Sequence, residues 1–142
     1  MGVFKDAAEL YECIGGLFRR GAEHPEMGPK IRASKLIIKF QYTNPEAQLT
    51  IDAKNPPPEG MYFNVIEGEN DLQADVTMSM EADVAHKFWF GKLNLVMALN
   101  RGMMRAKGPI AAILKLLPSI KPAYELYPQY LREIGKEDKI MG

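Results

Sequence analysis

The chain has 142 residues, the length of one domain that can bury a core without covalent staples. Its 46% hydrophobic and 25% charged content are those of an ordinary globular protein, and a single cysteine, Cys13, excludes an internal disulfide and a cysteine-rich metal site. The net charge is zero, but Val84–Tyr124 carries seven Lys or Arg and no acid, leaving eleven basic and eighteen acidic residues elsewhere. Such a segment is either a chance cluster dispersed over the fold or a basic face for an anionic headgroup or membrane surface. No apolar run approaches the ~18 residues of a membrane span. The N-terminus lacks an apolar signal core, Asp6 stands where a myristoylation signal needs Ser or Thr, and the C-terminus is not a peroxisomal address. These features read as soluble and cytoplasmic.

In chain order, residues 6–20 predict an amphipathic helix, with Ala7, Leu10, Tyr11, Ile14, Leu17 and Phe18 at helical spacing and Gly15-Gly16 as a weak point. A Gly/Pro-containing loop follows through Lys30. Residues 35–42 alternate as a half-buried strand, with Leu36, Ile38, Phe40 and Tyr42 on one face. Residues 47–53 alternate again, with Leu49 and Ile51 inward. Three prolines make residues 54–60 a loop. Residues 61–68 are a less regular strand, suited to a sheet edge. Residues 72–80 form a fourth strand with Leu72, Ala74, Val76, Met78 and Met80 sharing a face.

The period then changes. Residues 82–90 are helical, and Asn94 caps a second short helix over 95–100. Residues 103–107 make a fifth strand, with Met104 and Ala106 on one face and Met103, Arg105 and Lys107 on the other. Pro109 opens a helix over 110–117 that is apolar almost all round and so wants burial on every side, which is hard to supply near the end of so small a domain; it either covers a cavity or is sandwiched below the last helix. A last helix over 123–135 is interrupted near Pro128. The order is α-β-β-β-β-α-α-β-α-α. It predicts an α+β fold, a five-stranded, mostly antiparallel sheet covered by helices, in a single domain over 1–142.

Phe88, Trp89 and Phe90 sweep about 200° of a helix, more than one narrow stripe. Either they pack on two different elements, or one ring meets a ligand cavity or a membrane. Nine methionines, among them positions 78, 80, 97, 103 and 104, all in the second half, suit a surface that adapts to varied apolar partners, or ordinary core filling. His86 follows Asp83 by three residues, but no nucleophile is near in sequence, so it is a poor general base. Cys13 falls beside an apolar stripe as a small buried residue. There is no phosphate loop, zinc spacing or nucleic-acid motif, and no catalytic residue, metal or cofactor is assigned.

At "ADVTMSMEADVAHKFWFGKLNLVMALNRGMMRAKGP" the sequence resembles the sterol carrier protein 2 family. The matching features are a strand through Asp75-Val76-Thr77-Met78 and a helix closing on Gly91-Lys92-Leu93. A short helix, Gly102, the strand Met104-Arg105-Ala106-Lys107 and Gly108 complete them. The resemblance covers about residues 5–120. It implies a sheet and helices enclosing an apolar tunnel for a sterol, fatty acid or fatty acyl-CoA, in a carrier rather than an enzyme. The Pro/Tyr-rich tail beyond Pro118 departs from the family's best-known members.

With that resemblance, the inward positions expected at the ligand are Phe40, Ile51, Met78, Met80, Val84, Phe88, Trp89, Val96, Met97, Met104, Ile110, Ile113 and Leu117. Lys92, Arg101, Arg105 and Lys107 are expected at a headgroup or membrane rim. The expected partners are a lipid ligand and, transiently, an anionic membrane surface. Two other readings stand beside this one. An enzyme or enzyme accessory could hold an apolar substrate in the same cavity, with His86 or a tyrosine acting. An interaction module could dimerise through the tail and helix 110–117.

Overall fold

The computed structural model describes residues 2–141. The first helix starts at Ala7–Leu10 (α1), capped by the Asp6 carboxylate, which accepts from the Glu9 N–H at 2.9 Å. A π-helical turn over Tyr11–Gly15 follows, then Gly16–Glu23 (α2). The two glycines that weaken the pattern are therefore helical. Gly16 has a packing reason: a Cβ there would fall 1.8 Å from the Tyr130 hydroxyl. That hydroxyl donates to the Glu12 carbonyl at 2.7 Å.

The loop expected through Lys30 is corrected by the structure, because Met27–Ser34 is a helix (α3). Its first turn is capped not by Ser, Thr, Asp or Asn but by a histidine. His24 Nδ1 accepts from the N–H groups of Met27 (3.0 Å) and Glu26 (3.2 Å). Pro29 lies in the first turn, where no intrahelical donor is needed. Gly28 lets the helix lie on the Tyr62 ring, which would meet a Cβ at 2.3 Å.

The sheet comprises Ile37–Thr43 (β1), Ala47–Asp52 (β2), Asn64–Glu67 (β3), Val76–Glu81 (β4) and Met104–Lys107 (β5), in the order β3-β2-β1-β4-β5. Only β1–β4 is parallel; the other pairs are antiparallel. Residues opposed across the ladders share a face. Ile38, Ile51 and Val76 lie on one face with Phe40, Leu49 and Met78, and with Tyr42, Met80 and Met104. Lys39, Thr50, Thr77 and Lys107 lie on the other, with Gln41, Gln48, Ser79 and Arg105.

The fourth strand begins at Val76, not Leu72, because the preceding residues cross the polar face to bring the chain alongside β1. There Asn70 donates to Thr50 Oγ1 at 2.9 Å and its carbonyl accepts from Lys39 Nζ at 3.1 Å. The Asp75 carboxylate accepts from the Ile37 N–H at 2.8 Å and fixes the entry to β4.

Ala82–Trp89 (α4), Leu95–Asn100 (α5), Ile110–Leu116 (α6) and Ala123–Glu133 (α7) complete the fold, with a 3₁₀ turn over Leu117–Ile120 and another over Glu137–Lys139. Asn94 caps α5 as expected, accepting from Met97 N–H at 3.0 Å. The interruption expected at Pro128 is absent, and α7 runs through it. An internal proline costs about 3 kcal/mol. Burying Tyr127 and Leu131, both fully enclosed, returns roughly 1.5–3 kcal/mol each.

The helix 110–117, apolar almost all round and expected either to cover a cavity or to be sandwiched below the last helix, is not enclosed on every side. The α6 helix has no buried residue, and Ile110 is 39% exposed. The tail beyond α7 turns back onto the N-terminus. Lys139 Nζ donates to the Val3 carbonyl at 2.7 Å and lies 3.2 Å from Glu9, which Lys136 also meets at 3.0 Å. Burial pushes the Glu9 carboxyl up. The Lys5 N–H and these two ammonium groups outweigh it and hold it down at about 2.

Candidate functional site

Between the apolar face of the sheet and the helices lies a cavity of about 90 Å³. Its floor is Ile38, Phe40 and Tyr42 from β1, Ile51 from β2, Met78 and Met80 from β4, and Met104 from β5. Leu17, Phe18 and Gly21 of α2 and Met27 and Ile31 of α3 make one side. Phe63, Phe88, Trp89 and Leu95 make another. The remaining wall comes from α6, the 3₁₀ turn after it and the start of α7: Ile113, Leu116, Leu117, Ile120 and Ala123. No lining side chain is charged. Only Tyr42 and Trp89 carry a strong hydrogen-bonding group.

A dry cavity of about 150 Å³ accommodates benzene. This one is smaller than that. The least buried part of its wall is α6, whose residues are all at least partly exposed, and four of the lining residues are methionines, side chains that fill irregular space by changing rotamer.

Nine of the thirteen expected residues lie on the wall: Phe40, Ile51, Met78, Met80, Phe88, Trp89, Met104, Ile113 and Leu117. Val84, Val96, Met97 and Ile110 do not. On α5 it is Leu95 and Ala98 that turn inward, which leaves Val96 (48% exposed) and Met97 on the far side. Six residues of helix do not fix a face by spacing alone. The aromatic run divides. Phe88 and Trp89 face the cavity, Trp89 edge-on to Phe18 at 5.5 Å. Phe90 packs instead on His86 and Tyr127, at 4.8 and 4.9 Å.

Missed by sequence reasoning were Leu17 and Phe18, signalled by the stripe of the first helix, and Met27 and Ile31, which sit on the unpredicted α3. Ala123 gives no sequence signal at all.

Lys92, Arg101, Arg105 and Lys107 are exposed and none lines the cavity. Arg105 and Lys107 stand on the polar face of the sheet, opposite Ser79 and Thr77. Among the described residues, none of the seven cations from Lys87 to Lys121 pairs with a carboxylate. The large apolar side chains most open to solvent, Val96, Met97 and Ile110, fall in this same segment.

His86 is buried away from the cavity. Its Nε2 lies 2.8 Å from the Lys139 carbonyl and its Nδ1 2.9 Å from the Tyr127 hydroxyl. A carbonyl only accepts, so Nε2 carries the proton and Nδ1 accepts from Tyr127. Asp83 is engaged elsewhere, accepting from the Val3 N–H at 2.8 Å. Burial lowers the His86 pKa, against smaller raising effects of the Lys139 carbonyl and Asp83. This is a packed, neutral histidine that ties α4, α7 and the tail together.

Because its folded pKa lies below the ordinary 6.5, the unfolded chain binds the extra proton first. Stability is full above that value and falls as pH drops below it, by at most about tenfold in the folding constant per pH unit. Urea midpoints at pH 7.5 and 5.5 should fall more for the wild type than for His86→Gln. Equal falls would remove this role. Cys13 is also inert, its thiol pushed up to about 11, chiefly by burial. Among the described residues no group of His, Cys, Asp or Glu could hold a metal ion, and no helix is long and apolar enough to cross a membrane.

Residues 16–121 match the model of the SCP-2 sterol transfer family. Among solved structures the chain is similar to the sterol carrier protein domain 2 of Helicoverpa armigera (TM-score 0.61, 21% identity, 80% of this chain and 89% of that one). It is also similar to sterol carrier protein 2 from Yarrowia lipolytica in its apo form (0.57, 18%, 83% and 87%). A third similar structure is a UbiJ-SCP2 ubiquinone synthesis protein (0.58, 18%, 81% and 90%). A search of curated protein sequences returns no match. At these identities the structures show a shared fold, and the family match spans most of the chain, with every cavity-wall residue but Ala123: the chain belongs to the SCP-2 sterol transfer family, whose fold is that of a lipid-binding domain.

Proposed function

We propose that this protein holds the apolar body of one lipid in the cavity between sheet and helices and carries it between membranes without chemical change. The observation that carries the reading is a cavity wall without a single charged side chain, closed on one side by α6, which has no fully buried residue. Burying a sixteen-carbon chain is worth roughly 12 kcal/mol gross at ~0.8 per CH₂. Association costs an estimated 4–15 kcal/mol. Micromolar or somewhat tighter binding therefore needs no polar contact.

Trp89 is the only tryptophan and stands in the wall. Titration of delipidated protein with 1-hexadecanol, delivered from cyclodextrin, should change its emission and saturate at one equivalent. Emission that never changes would count against a ligand in this cavity.

The basic segment supplies the membrane encounter. The α5 helix presents Val96 and Met97 to solvent between the exposed Lys92 and Arg101, a small apolar patch flanked by unpaired cations. Each cation near an anionic bilayer contributes about 1 kcal/mol, screened beyond about 8 Å at physiological salt. Transfer between anionic vesicles should slow severalfold as salt rises. Lys92→Glu with Arg101→Glu should slow it further, leaving 1-hexadecanol affinity unchanged. Salt-independent transfer would remove the electrostatic step.

A further inference from the structure

On the apolar face of the sheet, Phe40 differs from its neighbours. It lies on β1, the central strand, with Ile38 and Tyr42 before and after it on the same face and Leu49 and Met78 opposite it on β2 and β4. Those four side chains are all buried, yet Phe40 is only half-buried. The sheet lies beneath the ring, and the cavity that Phe40 lines lies above it. The surface the ring keeps therefore belongs to the cavity and not to the outside. Phe18 of α2 meets the ring at 5.2 Å between centroids without covering it.

Resting on the lipid reading above, we infer that Phe40 sets the size of the apolar body the cavity accepts, its ring occupying room that a longer chain would otherwise fill. The wall carries no charge, so the part of the ligand held inside is the apolar one, and its length is the property this wall can measure. The neighbouring floor residues are packed on all sides, where a change of size disturbs the fold. Phe40 borders empty space, so its side chain can grow into that space or withdraw from it. A ligand chain gains about fourfold in affinity for each methylene that is buried and nothing for those left in water. The ring fixes the length at which the gain stops.

The test compares delipidated wild type, Phe40→Ala and Phe40→Trp over straight-chain alcohols from octanol to eicosanol, by native mass spectrometry. The ratio of variant to wild-type affinity at each length cancels differences in solubility. For Phe40→Ala the ratio should start at or below one with the shortest alcohols and rise with length, by at least about tenfold across the series. For Phe40→Trp it should fall with length, by about threefold or more. The melting temperature of ligand-free Phe40→Trp should be equal or higher, because the larger ring grows into space. If Phe40→Ala does not fold, Phe40→Leu supplies the smaller side chain with less lost packing.

Ratios that stay constant with chain length would overturn the gauge while leaving the cavity as a lipid site. Ratios that move the same way in both variants would show that Phe40 supports the fold and does not measure the ligand. A lower melting temperature for Phe40→Trp would show that the ring borders no usable space. If no alcohol binds the wild type, the lipid reading fails and the gauge fails with it.

Discussion

Ala123→Leu is expected to weaken 1-hexadecanol binding at least about tenfold while leaving the melting temperature unchanged or higher. Ala123 is 1% exposed, stands at the first position of α7 and is the smallest side chain with a Cβ on the cavity wall. Leucine adds three carbons at a point where the opposing atoms are already separated by empty space. Filling a void commonly stabilises a fold by about 0.5–2 kcal/mol. Filling it where a ligand must lie removes the ligand's contacts. Ala111→Leu, on the exposed side of α6, adds the same carbons outside the wall and should leave binding alone. Stability and binding thus move independently, which a merely structural core would not allow. Unchanged affinity in Ala123→Leu would mean that lipid binds elsewhere.

The second large effect lies at the paired glycines. Both sit in helical backbone, so helix propensity alone favours alanine at each by about 1 kcal/mol. Gly15 has room: its nearest neighbours to a Cβ are 3.5 Å away, an ordinary contact. Gly16 has none. A methyl would fall 1.8 Å from the Tyr130 hydroxyl and 2.3 Å from its ring carbon Cζ, and Tyr130 is itself held by the Glu12 carbonyl and by Arg20 over its ring. Gly15→Ala should raise stability by about 0.5–1 kcal/mol. Gly16→Ala should lower it by about 3 kcal/mol or more, as overpacking of a locked contact does. Adding Tyr130→Ala should restore part of the loss. Similar denaturation midpoints for the two single variants would show that α7 yields to the methyl, and that the Tyr130 contact is soft.

These contrasts mark where the sequence was readable. Alternation disclosed β1, β2 and β5, because one face of each is apolar and the other wet or covered by a polar crossover. A period of two survives that arrangement intact. Asn94 announced α5 because its side chain alone supplies the cap. The α3 helix was hidden because its cap is His24, a residue type with no such signal, and because Gly28 and Pro29 resemble loop residues until Tyr62 is seen lying on them. Strand 72–80 was overextended because Leu72 and Ala74 keep the alternation by chance, while Asn70 and Asp75 bind the crossover to neighbouring strands. At the site, strand faces were legible and helix faces only in part. Val96 and Met97 are apolar without being inward, and only the packing of α5 tells them from Leu95 and Ala98. Phe40 was visible as an inward residue, but its open surface among buried neighbours is a three-dimensional fact.

The parallel pairing of β1 with β4 governs when the protein can first do its work. The β1–β2 hairpin closes across a three-residue turn at 44–46 and can form early. Ile38 pairs with Val76, thirty-eight positions further along, so the floor contributed by Met78, Met80 and Met104 arrives only after a long loop has closed. Secondary structure should therefore appear in refolding before any capacity to take up lipid. A chain still emerging from the ribosome with only β1–β3 exposed displays half of a greasy surface and no pocket. For this topology, ligand competence is a property of the finished chain and cannot be inherited by its N-terminal half.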